Sequence, residues 1–375
     1  MKKLTKLIGI IIFVIIFGCK ENKDSIPNNE FNLIGELEGI ENDSWIYLML
    51  DNKPVDSTKI ENNKFSINGV TEHPKQYDLF VKNSRNYSRI WIEPGNIYFK
   101  AKNGEFKDAI VSGSESHKEK ERLWKPIWEY RKHRDSIRKI LSNNELNDSL
   151  KSVAKLEQKK IEEDWLKAEK DFIKNNPESY VSAATLDFYT KTFSKKTVLE
   201  FYNNFNEDIK NSSYGKSINR FLEINKNPQI GEKYVDFSMP NENGEIIKLS
   251  DYEGKLILLD FWASWCGPCI KEYPALRKAY SKFNEDGFEI VSISEDQTKE
   301  TWLKSIEKNE LNWVNLWQDN GGKADPYLIY GINGIPDNFL IDEKGIIIAR
   351  DLRGEKLIET IESNIKKPAG NNGYK

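Results

Sequence analysis

An apolar run at 256–262, interrupted only by Asp260, is followed four residues later by Cys266-Gly267-Pro268-Cys269. A short apolar run of this kind reads as a buried strand, and helical periodicity sets in from Pro268 to about Phe283. Cysteines at a strand-to-helix junction constrain the fold more than any other feature of the chain. Cys266 falls at the start of the helix, where unpaired N–H groups and the macrodipole favour a thiolate. Cys269 falls one turn inward, placed to reach back and resolve a mixed disulfide. Pro268 suits the first helical turn, where a missing N–H costs nothing. Downstream, strand-like 288–293, helix-like 299–309, strand-like 338–341 and 346–349 around an Asp-Glu-Lys-Gly turn, and a closing amphipathic helix at about 355–365 follow in alternation. That alternation predicts an α/β domain with a parallel sheet core over residues 228–375.

Cysteine arithmetic narrows the chemistry. The chain has three cysteines, and a zinc site built on the C-x-x-C pair needs two further Cys or His ligands at defined spacing. The three histidines all lie before residue 134 and Cys19 is far upstream, so no metal and no other cofactor is expected. A purely structural bridge closing so short a loop adds little chain-entropy stabilisation, which leaves redox chemistry as the reading.

At the N-terminus, Lys2, Lys3 and Lys6 precede an apolar stretch at 7–17 that is short for a membrane span. Residues 1–18 read as a signal peptide, and Gly18-Cys19 at its end resembles the lipobox of bacterial lipoproteins. Cys19 would then carry lipid and tether the chain to a membrane, with the polar segment 19–30 as linker. An uncleaved anchor helix is the alternative. Both place the remainder in the cell envelope, facing the periplasm or the cell surface, where disulfides persist. A net charge of -3 with interspersed signs offers no field for nucleic acid.

Residues 31–114 alternate short apolar runs with turn chemistry, which predicts a small all-β domain with strands near 31–37, 45–50, 64–67, 77–81, 90–92 and 97–99. His73, beside Pro74, reads as a solvated loop residue. Residues 115–227 change to long charged stretches with apolar positions at spacings of three and four, a helical region. Its aromatics Trp124, Trp128, Trp165, Phe172, Phe188, Tyr189 and Phe193 are expected on the packed faces of the helices. His117 and His133 lack metal-ligand spacing, and Asn176-Pro177 is expected to end a helix.

The segment Leu259-Asp260-Phe261-Trp262-Ala263-Ser264-Trp265-Cys266-Gly267-Pro268-Cys269 resembles thioredoxin. Cys269-Ile270-Lys271-Glu272-Tyr273-Pro274 and Gly334-Ile335-Pro336 resemble the membrane-anchored TlpA/ResA-type reductases, over roughly the last 145 residues. The β-rich domain is similar to the domain of unknown function that precedes such domains in Bacteroidetes envelope proteins. The resemblance implies that Asp260 is the buried carboxyl serving the resolving thiol Cys269 and that Glu272 is a second acid tuning the thiols. Which of the two serves Cys269 stays open. It also implies that Pro336 is cis and, with Ile335, Trp265, Gly267 and Pro268, contacts an extended substrate strand. Bulky Ile335 and acidic Asp337 depart from the family pattern at the substrate edge.

The expected function is reduction of protein disulfides in the envelope. Implied partners are disulfide-bearing envelope proteins, apocytochrome c in cytochrome c biogenesis among them, and a membrane electron donor. Oxidation or isomerisation of disulfides is the alternative, as is an envelope binding or stress-response module with secondary redox activity. A peroxidase of the peroxiredoxin kind is disfavoured, because Ala263 and Leu259 stand where that signature has Thr or Ser and Pro.

Overall fold

The computed structural model describes residues 29–51, 53–142, 147–319 and 325–365. Cys19, the signal peptide and most of the tether lie outside the described residues.

The N-terminal domain is all-β, with β1 (Glu30–Glu38), β2 (Trp45–Leu50), β3 (Lys53–Lys59), β4 (Lys64–Val70), β5 (Lys75–Val81), β6 (Tyr87–Ile92), β7 (Gly95–Lys102) and β8 (Ile110–Ser112). They form two four-stranded sheets, β4-β1-β7-β8 and β3-β2-β5-β6. Phe31, Leu33 and Leu37 of β1 face the same core as Ile46, Leu48, Leu79, Ile90, Ile97 and Phe99, the period-2 signal visible in the sequence. Two strands escaped that reading. β3 is a polar edge strand with most of its residues exposed, and β8 is three residues long, so neither carries an apolar alternation.

The middle region consists of α1 (Glu115–Leu141), α2 (Asp148–Asn175), α3 (Tyr180–Tyr189), α4 (Lys195–Asn204), α5 (Glu207–Asn211) and α6 (Ser213–Ile224). Its helix starts are set by local chemistry. Ser114, Asn147, Ser179, Ser194, Asn206 and Ser212 each accept a backbone N–H of the first turn, a cap worth about 1 kcal/mol each. The aromatic expectation holds in part. Phe193 is buried, and Trp124, Trp165, Phe172 and Tyr189 pack against cores, whereas Trp128 is 51% and Phe188 77% exposed. One histidine, His73, differs from expectation in environment, and His117 is placed by the structure alone. His73 stacks on Tyr180, whose hydroxyl lies 3.1 Å from its Nδ1, joining the β-domain to α3 rather than facing solvent. His117 is buried where α1 meets β6, and its Nδ1 accepts the Trp91 N–H at 3.3 Å. Desolvation, reinforced by nearby Lys120, pushes the His117 imidazole down to about 4.

The C-terminal domain comprises β9 (Ser238–Pro240), β10 (Ile246–Lys248), β11 (Leu256–Trp262), α7 (Gly267–Phe283), β12 (Phe288–Ser294), α8 (Lys299–Asn309), β13 (Val314–Leu316), α9 (Asp325–Ile329), β14 (Asp337–Ile341), β15 (Ile347–Arg350) and α10 (Gly354–Asn364). The sheet order is β13-β12-β11-β14-β15, parallel across β13-β12-β11 and antiparallel from β11 to β15. Every residue of β11 and β12 is buried, because α7 and α10 cover one face of the central strands and the 234–252 segment with α9 covers the other. Leu256, Leu258 and Trp262 pack with Cys269, Tyr273 and Leu276 of α7 and with Leu357 and Ile361 of α10. On the opposite face Ile257, Leu259 and Phe261 pack with Tyr327 and Tyr330. The middle region docks here: Asn225 Nδ2 donates to the Leu328 carbonyl, and the N–H groups of Lys226 and Asn227 donate to Ile329. This is a thioredoxin-like α/β domain behind an all-β region and a helical region, the architecture expected from the sequence.

Candidate active site

β11 ends at the sheet's C-terminal edge and the chain turns through Ala263-Ser264-Trp265 into α7. Cys266 is the N-cap of that helix, and its Sγ accepts the Cys269 N–H at 3.2 Å. Cys266 and Cys269 form a disulfide with their Cα atoms 5.3 Å apart, and both are buried. Trp265 beside them is 63% exposed. Gly267 opens α7, nothing lies within 4 Å of where a Cβ on it would sit, and Pro268 takes the first turn as expected. The turn is held by a residue that sequence reasoning missed. The buried carboxylate of Asp296, just past β12, accepts the Ser264 N–H at 3.0 Å, the Ser264 hydroxyl at 2.5 Å and the Ser294 hydroxyl at 2.7 Å. No local pattern marks its role at the cysteine turn, because the Ser264 it holds lies 32 residues away on a neighbouring strand end.

Behind the disulfide lies a cavity of about 10 Å³, room for roughly one water. Asp260, Cys269, Glu272, Pro336 and Arg353 line it together, so the structure brings both acids named from the sequence to the inner cysteine. Asp260 sits inside β11, buried, and accepts the Ser292 hydroxyl at 3.2 Å. Burial raises its carboxyl to about 7, against the opposing pull of the Ser292 hydrogen bond and the Arg353 charge. Glu272 is half-buried and its Oε2 accepts the Gly354 N–H at 2.8 Å, which ties α7 to the first residue of α10.

The opposite wall is the loop before β14. The Ile335–Pro336 peptide bond is cis, and Ile335 is half-buried, packed against both core clusters. Asp337, the departure noted from the family pattern, forms a two-pronged ion pair with Arg350 of β15 at 3.2 and 2.7 Å. Arg353 also escaped the sequence reading. Its guanidinium donates to the Pro336 carbonyl at 2.5 Å and to the Leu352 carbonyl at 2.7 Å. Among the described residues, no group of three or more His, Cys, Asp or Glu side chains is arranged to hold a metal ion, and no helix is long and apolar enough to cross a membrane.

Residues 230–350 match the AhpC/TSA family, and residues 31–119 match a domain of unknown function, DUF4369. The thiol-disulfide oxidoreductase ResA of Bacillus thuringiensis subsp. konkukian is 33% identical over 139 residues, 37% of this chain and 78% of that protein. Its counterpart from Bacillus subtilis is 30% identical over 118 residues, 32% of this chain and 64% of that protein. Among solved structures, the thioredoxin domain of a thiol-disulfide oxidoreductase from Bacteroides vulgatus is 34% identical, covering 37% of this chain and 99% of its own, with a TM-score of 0.36. The C-terminal domain of a thiol-disulfide oxidoreductase from Bacteroides thetaiotaomicron is 32% identical, covering 36% of this chain and 96% of its own, with a TM-score of 0.35. With a ResA relative matched over more than three quarters of its own length and a cysteine pair closing the first turn of α7, the chain belongs to the ResA-like thiol-disulfide oxidoreductases, its thioredoxin-like C-terminal domain joined to an N-terminal DUF4369 domain.

Proposed function

We propose that the chain is a lipid-anchored reductase of protein disulfides in the cell envelope, tethered through Cys19 and fed electrons by a membrane dithiol donor. The observation that carries this reading is the placement of Cys269 against a cavity it shares with a carboxyl poised near neutrality, Asp260. In the reduced protein the Cys266 thiolate, favoured by the N-terminus of α7, attacks a substrate disulfide and expels one substrate thiolate, forming a mixed disulfide. The Asp260 carboxylate takes the proton of the Cys269 thiol, through the cavity water where needed. The Cys269 thiolate then attacks Cys266 Sγ and breaks the mixed disulfide, and the second substrate thiolate leaves and is protonated. Two electrons have passed to the substrate and the Cys266–Cys269 disulfide has formed. A donor dithiol reduces that disulfide by the same exchange. Trp265, exposed beside the cysteines, and Ile335 before cis-Pro336 form the surface against which an extended substrate segment pairs. Glu272 acts with Asp260 in setting the thiol acidities.

The test has two readouts on the mature chain. The reduced protein cleaves the disulfides of a model protein substrate, Cys266→Ser abolishes this, and Cys269→Ser accumulates the mixed disulfide. The equilibrium potential of the couple, titrated against a thiol buffer, lies near or below roughly -250 mV for a reductase. A value above about -180 mV assigns oxidation or isomerisation instead.

A further inference from the structure

The cavity behind Cys269 contains two carboxyl groups and one permanent cation. Asp260 comes from β11, Glu272 from α7 and Arg353 from the turn that enters α10. Arg353 and its neighbour Gly354 reach both walls of the cysteine site at once. The guanidinium donates to the carbonyl of cis-Pro336, and the Gly354 N–H donates to Glu272 on the cysteine-bearing helix. The guanidinium also bonds the Leu352 carbonyl and pairs with Asp351 at 2.6 Å, so its position is fixed from three sides. Asp351 is mostly exposed, and its charge is largely screened by water, whereas Asp260 is buried. The other titratable groups facing Asp260 are Asp337 on β14, paired with Arg350, Glu272 on α7, hydrogen-bonded to Gly354, and the Tyr273 and Tyr327 hydroxyls of α7 and α9, which burial holds in the neutral form. Arg353 is therefore the cation set against two buried or half-buried acids.

We propose that Arg353 is a positioning residue of the thiol-disulfide site, its guanidinium holding the cis-Pro336 carbonyl while its charge sets how readily Asp260 ionises beside Cys269. The assignment rests on the reductase reading only for its effect on turnover, and not for its effect on Asp260. A planar fork suits the first task, since it donates to two carbonyls in fixed directions, which a lysine ammonium does not reproduce. The charge suits the second, since an opposite charge nearby favours the carboxylate. Removing the charge leaves Asp260 protonated to higher pH. Removing only the fork leaves the charge and frees the proline loop.

The experiment compares full-length R353M and R353K with the parent chain, each also carrying D260N in a second set. The first readout needs no substrate: the gap in urea midpoint between each protein and its D260N partner, at pH 4.5 and pH 9. That gap at pH 9 widens by about half in R353M, as expected if the carboxyl titrates about one pH unit higher, and returns toward the parent value in R353K. The second readout is the pH profile of protein-disulfide reduction. Its rising limb moves up by about one pH unit in R353M and recovers in R353K, while KM for the substrate rises in both. An unchanged gap in R353M, or equal loss at every pH in R353M and R353K, overturns the proposal. A gap that widens in R353M while the parent chain reduces no disulfide supports the role of Arg353 and overturns the reductase reading instead.

Discussion

Asp260→Asn should stabilise the oxidised protein at neutral to alkaline pH, and the structure fixes the size of the effect. A carboxyl that titrates near 3.8 in the unfolded chain and at about 7 in the folded one binds its proton more tightly when folded. The stability this proton linkage contributes is therefore fully present below pH 4 and lost by the time pH has risen past 7. Its stability falls as pH rises through that interval, by about 4 kcal/mol in total at 1.36 kcal/mol per pH unit. Asparagine has the same shape, stays neutral, and keeps an oxygen to accept the Ser292 hydroxyl. It turns an amide N–H toward a cavity with room for about one water, at a cost of about 1 to 2 kcal/mol. The net expectation is D260N more stable than the parent by about 2 to 3 kcal/mol at pH 8.5, and less stable by about 1 to 2 kcal/mol at pH 3.5. Urea unfolding of the two disulfide-closed proteins, followed by near-ultraviolet circular dichroism across that pH range, measures it, and the shared β-domain and helical region cancel in the comparison. Equal stability at pH 8.5, or a difference that does not depend on pH, refutes the reasoning, because the buried carboxyl would then ionise at no cost.

His117 acts with the opposite pH sense. Its folded imidazole titrates near 4 against about 6.5 in the unfolded chain, so acidification through that window protonates the unfolded state first and removes about 3 kcal/mol of stability by pH 4. His117→Asn, which keeps an acceptor for the Trp91 N–H, should flatten that dependence, and thermal melts at pH 4 and pH 7 show whether it does. Gly215 sits where α5 and α6 meet, and a Cβ there would lie 2.2 Å from the Ile209 carbonyl oxygen and 2.5 Å from that of Lys210. Because both are backbone atoms, Gly215→Ala should cost about 3 kcal/mol or fail to fold, and a urea midpoint within error of the parent would contradict the close approach.

What the sequence determined by itself is local. Leu256 to Trp262 is apolar enough to be only a strand buried on both faces, and the cysteine pair follows it at a helix start, so the redox centre was legible before any coordinates. The helix at Lys299–Asn309 was legible for the same reason, since caps and three-to-four periodicity are written within one turn of the chain. β3 and β8 were not, because a polar edge strand is held by its neighbours and has no buried face to advertise. The N-terminal cysteine and its anchor remain a reading of the sequence alone. Only the tertiary structure decided which polar groups meet. Asp296 reaches Ser264 from the next strand end, His117 enters the β-domain junction, and Arg353 arrives at cis-Pro336 and the Asp260 cavity from the far side of a hairpin. The first and last of these depend on the order β12-β11-β14-β15, and the second on the docking of α1 against β6. Strand order is set by how whole faces bury one another, and spacing along the chain carries almost none of it.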